Sequence, residues 1–148
     1  MMQKILPPAY FIIFSALSIL LSLVFPVRRV VSPPFTYIGL LLIIPGIILN
    51  MWTDKLFKMK GTTVKPYKKP SEFIISGPFR ISRHPMYLGM ALILLGIAVL
   101  CGTIISFIFP VVFVFLMEKL FISFEEKNME KIFRKKYHRY KIKVRKWI

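Results

Sequence analysis

The chain has 148 residues, a formal net charge of +16 and 56% hydrophobic residues. Its single cysteine excludes an internal disulfide, and with two histidines beside it there is no cluster spaced to hold a metal such as zinc. The positive charge is typical of nucleic-acid-binding proteins, but long uncharged stretches exclude a soluble protein of that class, so we expect no nucleic-acid partner.

The uncharged stretches predict membrane spans. The first two are each long enough to cross the roughly 30 Å hydrocarbon core of a bilayer as a helix. The stretch 85–117 is too long for one straight span and is interrupted by Cys101-Gly102-Thr103, so it is interpreted as parts of two spans joined by a tight turn. Four spans are predicted, at residues 5–27, 33–53, 85–101 and 104–124. Since helices satisfy their own backbone in lipid, the predicted fold class is all-α, a polytopic membrane protein with one integral membrane domain over residues 1–148.

Positive charge is concentrated in the loop 54–84 and after residue 124, whereas the turn between the third and fourth spans has none. This distribution follows the positive-inside rule and predicts that the loop and the carboxyl terminus lie in the cytoplasm. Arg28 and Arg29, in the first outer loop, weigh against it. Contacts with anionic membrane lipids account for most of the loop lysines.

The third span begins with a polar cluster. Pro85 suits the first helical position, which makes His84 the cap and places Arg83 just outside. The free N–H groups of the first turn, the helix dipole and these two cations favour binding of a carboxylate or another anion. Tyr87 lies in the first turn, and Gly89 removes a side chain where another group must come close. The alternative is that the cations reach lipid headgroups and Tyr87 belongs to an aromatic belt.

A basic amphipathic helix is predicted over residues 125–143. One face carries apolar and aromatic side chains at three- and four-residue steps, namely Met129, Phe133, Tyr137 and Tyr140. Binding to an anionic membrane surface explains this pattern but not Glu125 and Glu126, which stand where the surface potential favours lysine. Their carboxylates can accept hydrogen bonds from hydroxyl or ammonium groups of a ligand. The alternative is pairing with neighbouring cations, namely Arg80, Arg83 or Lys127.

Several motifs occur in a characteristic order. Gly77-Pro78-Phe79-Arg80 precedes Arg83-His84-Pro85-Met86-Tyr87-Leu88-Gly89, and a hydrophobic hairpin leads to Glu125-Glu126. The following aromatic and apolar positions are Phe133, Tyr137, Tyr140 and Val144. Together with Gly61-Thr62-Thr63-Val64, this order resembles the isoprenylcysteine carboxyl methyltransferase family and its small prokaryotic relatives, over roughly residues 61–147.

The resemblance implies a membrane enzyme that transfers the methyl group of S-adenosylmethionine to a lipophilic acceptor, which can be a prenylated molecule, and releases S-adenosylhomocysteine. It implies a set of cofactor-binding residues, namely Arg83, His84, Tyr87, Gly89, Glu125 and Glu126. The cofactor carries a carboxylate that suits the cationic helix start, and hydroxyl and ammonium groups that suit the acids. Displacement at the sulfonium methyl requires in-line alignment, so positioning should supply much of the acceleration. No catalytic residue is assigned, although an amine acceptor would require a base and His84 is the histidine nearest the expected site.

Two positions depart from the family pattern. Lys143-Val144-Arg145 stands where carboxyl-methylating relatives tend to have Arg-Val-Pro, and Arg134 stands where they have glycine. Lys143 and Arg145 are candidate contacts for an anionic group of the acceptor, or contacts with headgroups alone. The acceptor therefore stays open between a carboxylate and the amine of a phospholipid. A non-catalytic membrane scaffold that kept the fold is the remaining alternative.

Overall fold

The computed structural model of the chain describes residues 6–26, 28–61 and 73–148. The α-helices in these ranges are α1 (Pro7–Val24), α2 (Ile38–Met59), α3 (Pro85–Cys101), α4 (Ile108–Met117) and α5 (Ser123–Lys143). Short 3₁₀ turns occupy Phe35–Tyr37, Gly77–Arg80 and Ile104–Phe107, and a π turn covers Glu118–Ile122. Within the described ranges there is no β-strand beyond one isolated bridge, between Arg29 and Thr103, so the predicted all-α class is confirmed.

Three helical segments are long and apolar enough to cross a membrane, namely Pro7–Val24, Phe35–Met59 and Ile104–Lys143. The shorter α3 has 17 residues, all uncharged, which is at the lower limit for a span. Large apolar side chains on the outer faces of the bundle are exposed, such as Leu23, Leu41 and Val111. That surface suits contact with lipid chains, and the predicted fold of up to four spanning helices is confirmed.

The helix ends differ from the predicted ones at several points. Helix α2 starts after Pro33-Pro34 and a 3₁₀ turn, and it continues to Met59, past the predicted end at residue 53. Asp54 and Lys58 extend it because they form an ion pair of 2.6 Å one turn apart. The predicted loop 54–84 therefore starts later. The outer ends predicted for the first span, residues 5 and 27, and most of the Gly61-Thr62-Thr63-Val64 motif lie outside the described residues.

The predicted division between a fourth span ending at residue 124 and a separate helix over 125–143 is not seen. The π turn joins α4 directly to α5, so helical structure runs from Ile104 to Lys143 without a loop. The interruption comes instead at Arg134, whose φ of 38° and ψ of −112° are not helical. The predicted tight turn between the third and fourth spans is present, with Gly102 in the left-handed region at φ 69°.

Glycines allow α2 and α3 to pack closely. At these glycines, carbonyl oxygens of the opposite helix lie too close to leave room for a side chain. A Cβ on Gly46 would stand 2.8 Å from the Gly89 oxygen. A Cβ on Gly96 would stand 2.5 Å from the Gly39 oxygen. Small residues at helix contacts let backbones approach, which is a common basis of helix association in membranes. The long contact fixes α3, and with it the position of His84 and Arg83 at its start.

A buried cluster joins α3 to α4 and the π turn. Its members are Tyr87, Met90, Leu94, Phe113, Met117, Phe121 and Ile122, and α1 packs against it through Tyr10, Phe11 and Phe14. Tyr87 belongs both to this core and to the polar cluster at the start of α3. The core therefore holds the start of α3 beside the start of α5.

Candidate active site

The start of α3 is built as its sequence predicts. Pro85 occupies the first turn, and His84 is the cap residue with a non-helical φ of −128°. The side chain of His84 forms no capping hydrogen bond with the helix. The backbone N–H of His84 donates to the Ser82 hydroxyl at 3.1 Å. The imidazole and the Arg83 guanidinium are therefore free to turn towards α5.

Acids of the first turn of α5 meet these groups. Glu126 forms an ion pair with Arg83, with 3.0 Å between Arg83 Nη2 and Glu126 Oε1. The same oxygen lies 3.4 Å from His84 Nε2. Glu125 Oε2 lies 3.4 Å from His84 Nδ1. The Tyr87 hydroxyl donates to the other oxygen of Glu125, Oε1, at 2.5 Å. The structure therefore brings together five residues that the sequence predicted for one site.

Burial and the two acids act in opposite directions on His84. Burial alone would lower the pKa of His84, but hydrogen bonds and charge from Glu125 and Glu126 outweigh it, so its pKa is raised above 6.5. The two acids thus favour the charged form of the imidazole. The cluster holds its acids and cations in near balance with little access to solvent.

Arg83 keeps an unused donor. Its side chain is 8% exposed, and its Nε is buried without a hydrogen-bond partner among the described residues. An unpaired buried donor costs free energy, and an anionic ligand would satisfy it. The residues present thus fit a ligand that combines a carboxylate with ammonium or hydroxyl groups, as the predicted cofactor does.

Gly89 lies elsewhere. The groups that come close to it belong to α2, namely the side chain of Asn50 and the backbone oxygen of Gly46. The close approach expected at Gly89 is therefore made by a neighbouring helix. Its predicted contact with a cofactor stays a prediction.

The carboxyl-terminal tail reaches the same site. The side chains of Lys143 and Arg145 are exposed. Arg145 contacts the site through its backbone, since its carbonyl oxygen accepts a hydrogen bond from the Arg83 N–H at 3.1 Å. The side chain that reaches the acids is Lys146, whose Nζ lies 2.5 Å from Glu118 Oε1 and 4.0 Å from Glu126 Oε2.

Sequence reasoning missed Glu118 and Lys146. A signal for Glu118 was present, because it stands with Lys119 inside a predicted span whose other residues are uncharged, where ionisable residues are costly and usually functional. It stands in the π turn, where Ser123 donates to its carbonyl oxygen from the hydroxyl at 2.8 Å. Lys146 had no such signal, since it is one of many basic residues near the carboxyl terminus.

Aromatic side chains hold the segment before α3 against α5. Phe73 stacks on Phe133 with ring centroids 4.9 Å apart and meets Tyr137 and Tyr140 edge to face. Tyr140 also donates to the Phe79 carbonyl oxygen at 2.6 Å. The predicted aromatic face of the last helix thus packs on this segment, next to the polar cluster.

Two comparisons with known proteins give a match. The family model for phospholipid methyltransferase matches residues 35–136, which include both halves of the polar cluster. An uncharacterized protein of Haemophilus influenzae is 35% identical over 63 residues, which is 43% of this chain and the whole of that protein. No solved structure gives a significant match.

Proposed function

The chain belongs to the phospholipid methyltransferase family, and we propose that it transfers a methyl group from S-adenosylmethionine to a lipophilic acceptor at the membrane interface. Family membership supports a membrane methyltransferase that acts on lipophilic substrates. The observation that carries the use of this cofactor is the cluster of Arg83, His84, Glu125 and Glu126. It offers one ligand both an anion site and acceptors for ammonium and hydroxyl groups.

In this proposal different residues of the cluster bind different groups of the cofactor. Arg83, through its unpartnered Nε, and His84 bind the carboxylate. Glu125 and Glu126 accept hydrogen bonds from the amino group and the ribose. The bound cofactor supplies a methyl group on a sulfonium, and the residues of this chain orient it, so positioning does much of the work.

An amine-bearing lipid is the first candidate for the acceptor. The family match supports it, and Glu118 adds a further carboxylate beside the two acids assigned to the cofactor. An isoprenylcysteine-like carboxylate is the second candidate, with Lys143 or Arg145 as its partner. Because both of these side chains are exposed, they support a carboxylate acceptor less well than the acids of the site support an amine acceptor.

We further propose that the site faces the cytoplasm, where the cofactor is made. The basic residues of the loop and the carboxyl terminus support this orientation. Membrane lipids are then direct partners of the exposed basic side chains of α5.

Calorimetry with purified protein in detergent tests the proposal. Wild type should bind S-adenosylhomocysteine, and Glu126→Ala should weaken binding by about 1–3 kcal/mol, the range for a charge-assisted hydrogen bond. Glu130→Ala is the matched control, because it removes the same charge from α5 at an exposed pair with Lys141. Equal binding by wild type and a Glu125→Ala/Glu126→Ala variant would refute the cofactor site and leave the scaffold alternative.

The acceptor is identified by transfer of a labelled methyl group. Vesicles containing an amine-bearing phospholipid and micelles of a prenylated cysteine peptide are offered in parallel. Label in the phospholipid supports the first candidate, and label in the peptide carboxylate supports the second.

A further inference from the structure

The last residues of the chain are fixed beside the site by several contacts. Backbone oxygens of the tail accept hydrogen bonds from the segment before α3, with Arg145 O bound by the Arg83 N–H at 3.1 Å and Lys146 O bound by the Ser82 hydroxyl at 2.9 Å. Trp147 packs against the buried core cluster. The tail is therefore part of the wall around Arg83.

Lys146 occupies a distinct electrostatic position in that wall. Its ammonium donates to Glu118 Oε1 and also stands 4.0 Å from Glu126 Oε2. Glu118 belongs to the π turn and Glu126 to α5, so one cation connects the turn, the helix and the tail. The other Glu118 oxygen, Oε2, is buried without a hydrogen-bond partner among the described residues, which makes the charge of Lys146 more important for that carboxylate.

We propose that Lys146 is a positioning residue of the methyltransferase site, whose ammonium bridges Glu118 and Glu126 and so fixes the acidic wall that receives the cofactor. The inference rests on the proposed function. Lys146 acts through Glu126, because Glu126 is the acid that also binds Arg83 and His84. Glu118 then belongs to the site as the second anchor of the bridge.

An ordinary surface ion pair would have little effect on its surroundings. This pair differs in two respects. Its side chains are 33% and 29% exposed, so solvent screens this pair less than a fully exposed one, and the backbone of Lys146 is bound to Ser82, which fixes where its side chain begins. Removal of the charge should therefore alter the orientation of Glu126 rather than the global fold.

The first experiment compares substitutions at one position by S-adenosylhomocysteine binding and thermal unfolding in detergent. Lys146→Met, which keeps most of the unbranched side chain and removes the ammonium, should weaken binding about threefold to tenfold with little change in unfolding midpoint. Lys146→Arg should restore most of the affinity because it restores the charge. Lys136→Met is the control, since it removes a lysine from an exposed position of α5 that has no role in the site.

A double-mutant cycle tests the bridge itself. Glu118→Gln keeps the shape of the side chain, and the Glu118→Gln/Lys146→Met variant should bind no worse than the weaker single variant. Additive losses, or a Lys146→Met protein that binds as wild type does, would overturn the inference and leave the proposed function standing. Absence of binding in wild type itself would overturn both.

Discussion

His84 lies beside two carboxylates. Glu125 and Glu126 face it from α5, the Tyr87 ring lies near it in the first turn of α3, and Arg83 precedes it. Because both carboxylates favour the charged imidazolium, its pKa is raised in the folded protein. Protonation of this one side chain is thus linked to stability.

We predict that the stabilising effect of His84 decreases with rising pH. The effect is fully present below the unfolded-state pKa of 6.5 and is lost as the pH rises through the higher folded-state value. The unfolding midpoint of His84→Gln should therefore fall furthest below wild type near about pH 6 and approach it towards about pH 9.

His138→Gln serves as the control, because His138 is exposed on α5. A difference between wild type and His84→Gln that is constant over this pH range would contradict a raised pKa.

At the residue scale the sequence predicted which groups would meet but not all of their partners. Arg83 and His84 are linked to Glu125 and Glu126 by motif order and by the ends of two spans. Lys146 could not be selected in this way, because its contact with Glu118 depends on how the tail folds back after α5. Such a return is a tertiary feature without a local pattern.

At the scale of single elements, α5 contains a backbone conformation that its sequence does not favour. Arg134 has φ of 38°, in the left-handed region that a side chain rarely adopts. The helix periodicity of Phe133, Tyr137 and Tyr140 gave no sign of the interruption, because aromatic contacts with Phe73 keep these rings on one side across it.

We predict that Arg134→Gly is more stable than Arg134→Ala by about 1 kcal/mol, because glycine removes the cost of a positive φ. Both variants lose the same exposed guanidinium, so alanine controls for the side chain. Thermal unfolding in detergent gives the comparison. An alanine variant as stable as the glycine variant would show that the backbone at this position carries no strain.

The two central helices were predicted with different success. Residues 85–101 match α3, because Pro85 and Gly102 mark its ends. The second predicted span ends at residue 53, where the uncharged stretch ends, whereas α2 continues to Met59. A helix can extend beyond the bilayer, and Asp54 and Lys58 pair along one face of this extension.

At the scale of the whole molecule, positive charge is distributed unevenly along the bundle. The turn around Gly102 has no charged residue of its own and only Arg28 and Arg29 beside it among the described residues, whereas the exposed surface beyond Glu126 is strongly basic. The long run from Ile104 to Lys143 connects these regions, so its ends should lie on opposite sides of the membrane.

We predict opposite labelling of two introduced cysteines in a Cys101→Ser background. Cysteine at Lys135 should react with an impermeant thiol reagent from the cytoplasmic side, and cysteine at Ile104 should react from the other side. Both positions are exposed, so accessibility does not bias the comparison. Reaction of the two cysteines from the same face would show that the run does not cross the membrane.

The π turn determines the direction in which everything after it points. A π turn accommodates an additional residue within a helix, and each residue of an α-helix rotates the chain by about 100°. With a regular α-helix over residues 118–122, Glu125 and Glu126 would be rotated away from His84 and Arg83. The turn therefore shifts the helical phase. The helix faces lipid before the turn, and the residues after the turn face the polar site. In alignments of related chains, a gap of one residue in this turn should separate proteins with the acids in phase from proteins without them.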